Sequence, residues 1–103
     1  MKKFESNDAA FECLLSKLDR AYGHVVRDTK MLKELLSKTS DNQLDDFIFT
    51  SQVGLLHARQ KEYDNLMYLV RELVEVTFRK NETRKIELYR DSEDKHYLVE
   101  LDE

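Results

Sequence analysis

The side chains that could do chemistry here are three histidines, one cysteine, and 21 carboxylates set against 17 lysines and arginines. His24 and His57 are the first pair to test for a metal site or a pH-sensitive contact, with Arg20, Arg59 and Gln60 close by in the sequence. Heptad positions argue against it. With the apolar seam at a and d, His24 falls at c and His57 at e, so both rings read as solvated and not adjacent. His96 is expected at a hairpin turn, near Asp91 and Asp94. Adding Cys13 produces no CxxC or HxxxH spacing, so no metal ligand set is expected. Glycine occurs only at positions 23 and 54, too few for a loop that cradles phosphate. No Ser-His-Asp constellation or nucleophile elbow can be drawn. Asp45 and Asp46 suit the positive end of a helix dipole, and Glu72 and Glu75 read as solvated charges one turn apart. The expectation is no catalytic residue, no metal and no cofactor.

Two other groups of residues could make contacts. Arg79, Lys80, Arg84, Lys85 and Arg90 form a basic cluster that could meet phosphates. The competing and favoured reading is internal neutralisation by the acidic 91–103 segment that follows. Tyr68, Tyr89 and Tyr97 are candidates for a partner contact, since tyrosine suits interfaces. Tyr63 sits on an apolar seam and reads as core.

The elements that must position these groups are mostly helical. Over residues 9–37, Phe11, Leu15, Leu18, Tyr22, Val25, Thr29, Leu32 and Leu36 follow a 4-3 spacing, widened by Leu14, Ala21, Val26 and Leu35. Ser6 or Asp8 can cap this helix, which would be about 44 Å long. Ser40 and Gln43 fit a capping box that opens a second helix at 41–80, with Asn81 as its stop. Its seam runs through Phe49, Val53, Leu56, Gln60, Tyr63, Met67, Val70, Val74 and Thr77.

A short connection makes the two helices an antiparallel hairpin. Leu66, Leu69, Leu73 and Val76 form a further apolar row that one partner helix cannot cover, so they are candidates for self-association. Breaks near Gly23 and Gly54 would turn the hairpin into a shorter four-helix arrangement.

Residues 84–102 change to period two, the mark of a C-terminal β-hairpin. A four-residue loop at Ser92–Lys95 would pair Ile86 with Leu101, Leu88 with Val99, Lys85 with Asp102 and Tyr89 with Leu98. It would also set Glu87 against Glu100. A lone hairpin is marginal in water and must lean on the helices or extend a sheet across a dimer.

The fold expected for 1–103 is therefore one mainly α domain: a helical hairpin followed by a β-hairpin, assembled as a helical-bundle homodimer. The net charge of −4 makes a general nucleic-acid binder unfavourable, although residues 76–90 carry +3 and residues 91–103 carry −5. No apolar run approaches the ~20 residues of a membrane span, and residues 1–8 lack the apolar core of a signal peptide. A lone cysteine fits a reducing, cytoplasmic setting. These features predict a non-catalytic protein–protein interaction module: a small regulator, adaptor or inhibitor that binds a larger protein of unspecified identity. The alternatives are nucleic-acid binding through 79–90, or acidic mimicry in which 41–46 and 91–103 occupy another protein's basic groove.

Overall fold

The computed structural model describes residues 2–5, 8–38, 46–79 and 85–101. Two helices, α1 (Ala9–Lys38) and α2 (Asp46–Val74), form the expected antiparallel hairpin. Asp8 caps α1: its Oδ1 accepts the Ala10 N–H at 2.9 Å and its carbonyl accepts the Phe11 N–H at 3.1 Å. Both helices run unbroken through Gly23 and Gly54, and neither glycine has a positive φ. The broken, four-helix alternative is thereby excluded. A mid-helix glycine costs about 1 kcal/mol against alanine, which weakens a helix of this length without ending it. The Ser40–Gln43 capping box and the Asn81 stop lie outside the described residues.

Beyond α2, the last turn widens into a π-helix, Glu75–Arg79. It carries Phe78, whose ring stacks on Phe11 at 5.3 Å and meets the edge of Phe4 at 5.0 Å.

The sheet has three strands, β1 (Lys2–Phe4), β2 (Lys85–Arg90) and β3 (His96–Leu101), in the order β1-β3-β2 and antiparallel throughout. β1 has only three residues and no alternation to betray it. It pairs with the open edge of β3, so the C-terminal hairpin is never a lone one.

The expected hairpin register is wrong by one residue. Lys85 pairs with Leu101, Glu87 with Val99, Leu88 with Leu98, and Arg90 with His96. The turn supplies the reason. The Asp91 N–H donates to the Lys95 carbonyl at 3.0 Å, which leaves a three-residue loop with Asp94 left-handed at φ 62°. Asp91 Oδ1 accepts the N–H groups of Glu93 and Lys95 and holds that loop shut. This slip exchanges the two faces of β3. His96 and Leu98 share a face with Ile86 and Leu88, whereas Tyr97, Val99 and Leu101 lie on the other. It also removes the Glu87–Glu100 opposition.

β3 packs on α1 and β2 on α2. The core that results comprises Phe11, Leu18, Ala21, Val25, Tyr63, Val70, Val74, Ile86 and Leu98. The molecule measures 60 × 22 × 22 Å with a radius of gyration of 18.0 Å. A compact chain of this length would have about 13 Å. The hairpin therefore projects well past the sheet, as a stalk.

Candidate functional site

Two places in the molecule gather polar groups in a way that could serve function. The first is buried under the sheet. Asp19, about two turns past Phe11 on α1, accepts two bonds on a single oxygen: from the His96 backbone N–H at 2.7 Å and from the His96 Nδ1–H at 2.8 Å. In the neutral ring this places the proton on Nδ1, so that Nε2 accepts from the Tyr63 hydroxyl at 2.8 Å. Tyr22 packs against both rings, and the Arg90 guanidinium lies 4.0 Å over the Tyr22 ring centre.

Carboxylate, imidazole and hydroxyl stand here in the order used by nucleophilic triads. The hydroxyl is not set up as a nucleophile. Tyr63 is buried, and burial pushes its phenol above the ordinary 10.0, with Arg90 pulling weakly the other way. The cavity of about 390 Å³ that reaches His96 is lined by Phe4, Phe11, Leu15 and Leu98 among others, but not by Tyr63. The cluster instead clamps the first residue of β3 to both helices. His96, expected at the hairpin turn near Asp91 and Asp94, is the first residue of β3, 6% exposed and bonded to residues 33 and 77 positions away.

The second place is the flank of the hairpin away from the sheet. A groove of about 650 Å³ runs between the helices there, lined only by α1 and α2 residues. Lys17, Arg20, Ala21 and His24 form one wall, and Arg59, Lys61, Glu62 and Leu66 are on the other. This flank carries a second pattern, along α2 and into the π-helix that follows it. Gln52, Leu55, Arg59, Glu62, Leu66, Leu69, Leu73 and Val76 repeat a 3-4 spacing one residue ahead of the seam. Such spacing makes a second row on the helix, beside the first.

The self-association candidates divide along this row. Leu66 and Leu73 lean partly on the core, whereas Leu69 is 52% and Val76 64% exposed. Tyr68 is 63% exposed, beside them. Tyr89 and Tyr97 are cross-strand neighbours, half-buried, with ring centres 6.3 Å apart. They lie on the opposite sheet face from Leu88 and Leu98, away from Tyr68's helix, so the three tyrosines do not form one patch.

The expected basic cluster is only partly described. Lys80 and Arg84 lie outside the described residues, as does the Arg79 side chain. Lys85 is exposed. Arg90 is exposed, pairs with Asp94 at 3.7 Å and lies over the Tyr22 ring. Of the other histidines, His57 is exposed, and His24 accepts a bond from Arg27 Nη2 at 3.0 Å. Among the described residues, no three His, Cys, Asp or Glu side chains are grouped as for a metal ion.

The sequence reading missed Asp28. It is 2% exposed, with Oδ2 3.4 Å from Arg59 Nε and Oδ1 3.7 Å from Arg27 Nε. A signal was present: Asp28 continues the row Leu14, Ala21, Leu35 at seven-residue steps. Against known protein families, curated proteins and solved structures, the chain has no match.

Proposed function

We propose that this chain is a non-catalytic protein–protein interaction module, a small regulator, adaptor or inhibitor that works by binding a larger protein. The observation that carries this reading is the second row on α2. Leu55, Tyr68, Leu69 and Val76 are 40–64% exposed, on or beside that row. Apolar residues repeating along one side of an elongated hairpin offer a helix-sized contact surface. The test compares wild type with a Leu69→Glu, Val76→Glu double variant, both immobilised and exposed to extract of the native host. Circular dichroism first establishes equal helix content. A host protein retained by wild type and released by the variant supports the reading. Retention that ignores the variant, or no retained protein at all, refutes it.

A second reading, nucleic-acid binding, draws on the groove rather than on 79–90. Lys17, Arg20, Arg59 and Lys61 line it against a single acid, Glu62. Phosphate contact there would give affinity that falls steeply with salt, and Lys17→Glu with Arg20→Glu would flatten that slope.

A further inference from the structure

We infer that the groove on the flank of the hairpin takes an amphipathic helix of a partner protein, one whose acidic half lies among Lys17, Arg20 and Lys61 and whose apolar half covers Leu69, Leu73 and Val76. The inference rests on the reading of that flank as a protein-binding surface and names the chemistry of the partner.

Charge is the first argument. Arg59 is already answered by Asp28, 3.4 Å away in the same chain. Lys17, Arg20 and Lys61 are exposed, and among the described residues none of them has an ion-pair partner. Among those residues, Glu62 is the one acid on the groove walls. A cleft lined by one sign of charge draws the opposite sign and favours a partner that carries it.

Spacing is the second. Lys17, Arg20 and His24 stand at i, i+3 and i+7 on α1, along one side of the helix over about 10 Å. Acidic side chains at the same steps on another helix meet them in turn, with Lys61 on the facing wall. A groove between two packed helices is a seat for a third, laid in by its amphipathic face.

The third argument is what lies past the groove. The row of α2 that lines it with Arg59, Glu62 and Leu66 continues as Leu69, Leu73 and Val76. Leu69 and Val76 are more than half exposed. Apolar side chains of this kind supply the affinity that exposed ion pairs do not. The same succession of surfaces favours a protein over a nucleic acid. About 10 Å of duplex carries about six phosphate charges, against three unpaired cations. Further along the row a nucleic acid would meet leucines, with Glu72 one turn from both Leu69 and Val76. A helix acidic in one half and apolar in the other suits both stretches. From Arg59 to Val76 the row is about 25 Å long, which a helix of about 17 residues spans.

A synthetic helix of about that length, with glutamates along one face of one half and leucines along the same face of the other, is the probe. Fluorescence anisotropy with the full chain should give saturable binding at micromolar concentration. Lys17→Glu with Arg20→Glu should weaken it about tenfold, the size expected of two lost exposed ion pairs, with helix content unchanged. Leu69→Glu with Val76→Glu should weaken it at least as much. A probe with lysines in place of its glutamates should fail on wild type and bind a chain carrying Lys17→Glu, Arg20→Glu and Lys61→Glu. Absence of saturable binding overturns the inference, as does binding indifferent to either double variant, or a lysine probe that binds wild type equally well. An oligonucleotide of the same net charge that binds more tightly than the probe, and is undisturbed by Leu69→Glu with Val76→Glu, assigns the groove to nucleic acid instead. A host protein released by Leu69→Glu with Val76→Glu but held despite Lys17→Glu with Arg20→Glu ends this inference and leaves the protein-binding reading intact. A failed probe together with no retained host protein ends both.

Discussion

The base and the stalk of this hairpin are continuous stretches of the same two helices, yet they bury different things. In the base, up to Val25 and Tyr63, the helices close over Phe11, Leu18, Ala21, Val70 and Val74, and the sheet adds Ile86 and Leu98. In the stalk, residues 26–38 and 46–62, the one buried side chain among the described residues is Asp28. Leu32, Phe49, Val53 and Leu56 sit on 4-3 seams and still remain half-exposed, and Leu36 is 48% exposed. The difference shows what a heptad seam does alone. Two helices can touch along it, but a third layer is needed before the seam is removed from water. Polar groups follow the same division. His96 and Asp19 in the base are bonded at 2.7–2.8 Å, whereas Asp28 and Arg59 in the stalk are held at ion-pair distance only.

Core truncation should divide the two regions most sharply. Ile86→Ala or Leu98→Ala removes a side chain that is 1% exposed and should cost roughly 2–5 kcal/mol in urea unfolding. Leu36→Ala, on the stalk seam, should cost roughly 0.5 kcal/mol or less, as exposed positions do. Equal costs at the two places would abolish the distinction between base and stalk.

Next in size is the contrast between the two buried polar groups. His96→Leu leaves the Tyr63 hydroxyl without its acceptor and Asp19 without its ring donor, at a cost of about 1–3 kcal/mol. Asp28→Leu removes a carboxylate that makes no good hydrogen bond and extends the apolar row of Leu14, Ala21 and Leu35. It should be neutral or stabilising in thermal melts, because an imperfectly satisfied buried charge is poorly compensated. Destabilisation by Asp28→Leu as large as that by His96→Leu would mean that the stalk pair holds the fold as the base cluster does.

Tyr63 adds a pH dependence confined to the base. Burial raises its phenol above the ordinary 10.0, so the native state holds that proton more tightly than the unfolded chain. The stability it contributes is complete below pH 10.0 and is lost as pH rises through the higher folded-state value. Amide protection in β3 should therefore fall in alkali ahead of protection in the stalk. Tyr63→Phe should remove that alkaline slope.

Legibility in the sequence followed the same geography. Both helices, the change to period two and the burial of Tyr63 could be read because they depend on periodicity within one element. The slip in the sheet register could not, because it turns on Asp94 adopting a left-handed conformation and on one bond from Asp91 to Lys95. β1 escaped because three residues carry no period. The Asp19–His96–Tyr63 cluster escaped for another reason: its members lie 33 and 77 residues apart, and no local pattern links them. Asp28 was legible, as a charge standing in an apolar row at heptad spacing, but only to a reading that followed the flanking row as closely as the seam.

The smallest expected effect asks whether base and stalk unfold together. Gly54 lies inside α2, in the stalk, and a Cβ built on it meets nothing within 4 Å. Its φ is not positive, so alanine can take the same backbone without strain. Gly54→Ala should therefore stabilise by up to about 1 kcal/mol, through helix propensity and a less disordered unfolded chain. Where that gain appears is the informative part. If the molecule unfolds as one unit, hydrogen exchange slows by the same factor at base and stalk amides. If the stalk opens first, exchange slows around residues 50–58, while amides near Leu18, Val70 and Leu98 keep their wild-type rates. The burial pattern favours the second outcome, since the stalk lacks the sheet that closes the base. A uniform slowing would show that the two helices carry cooperativity along their whole length without a third layer.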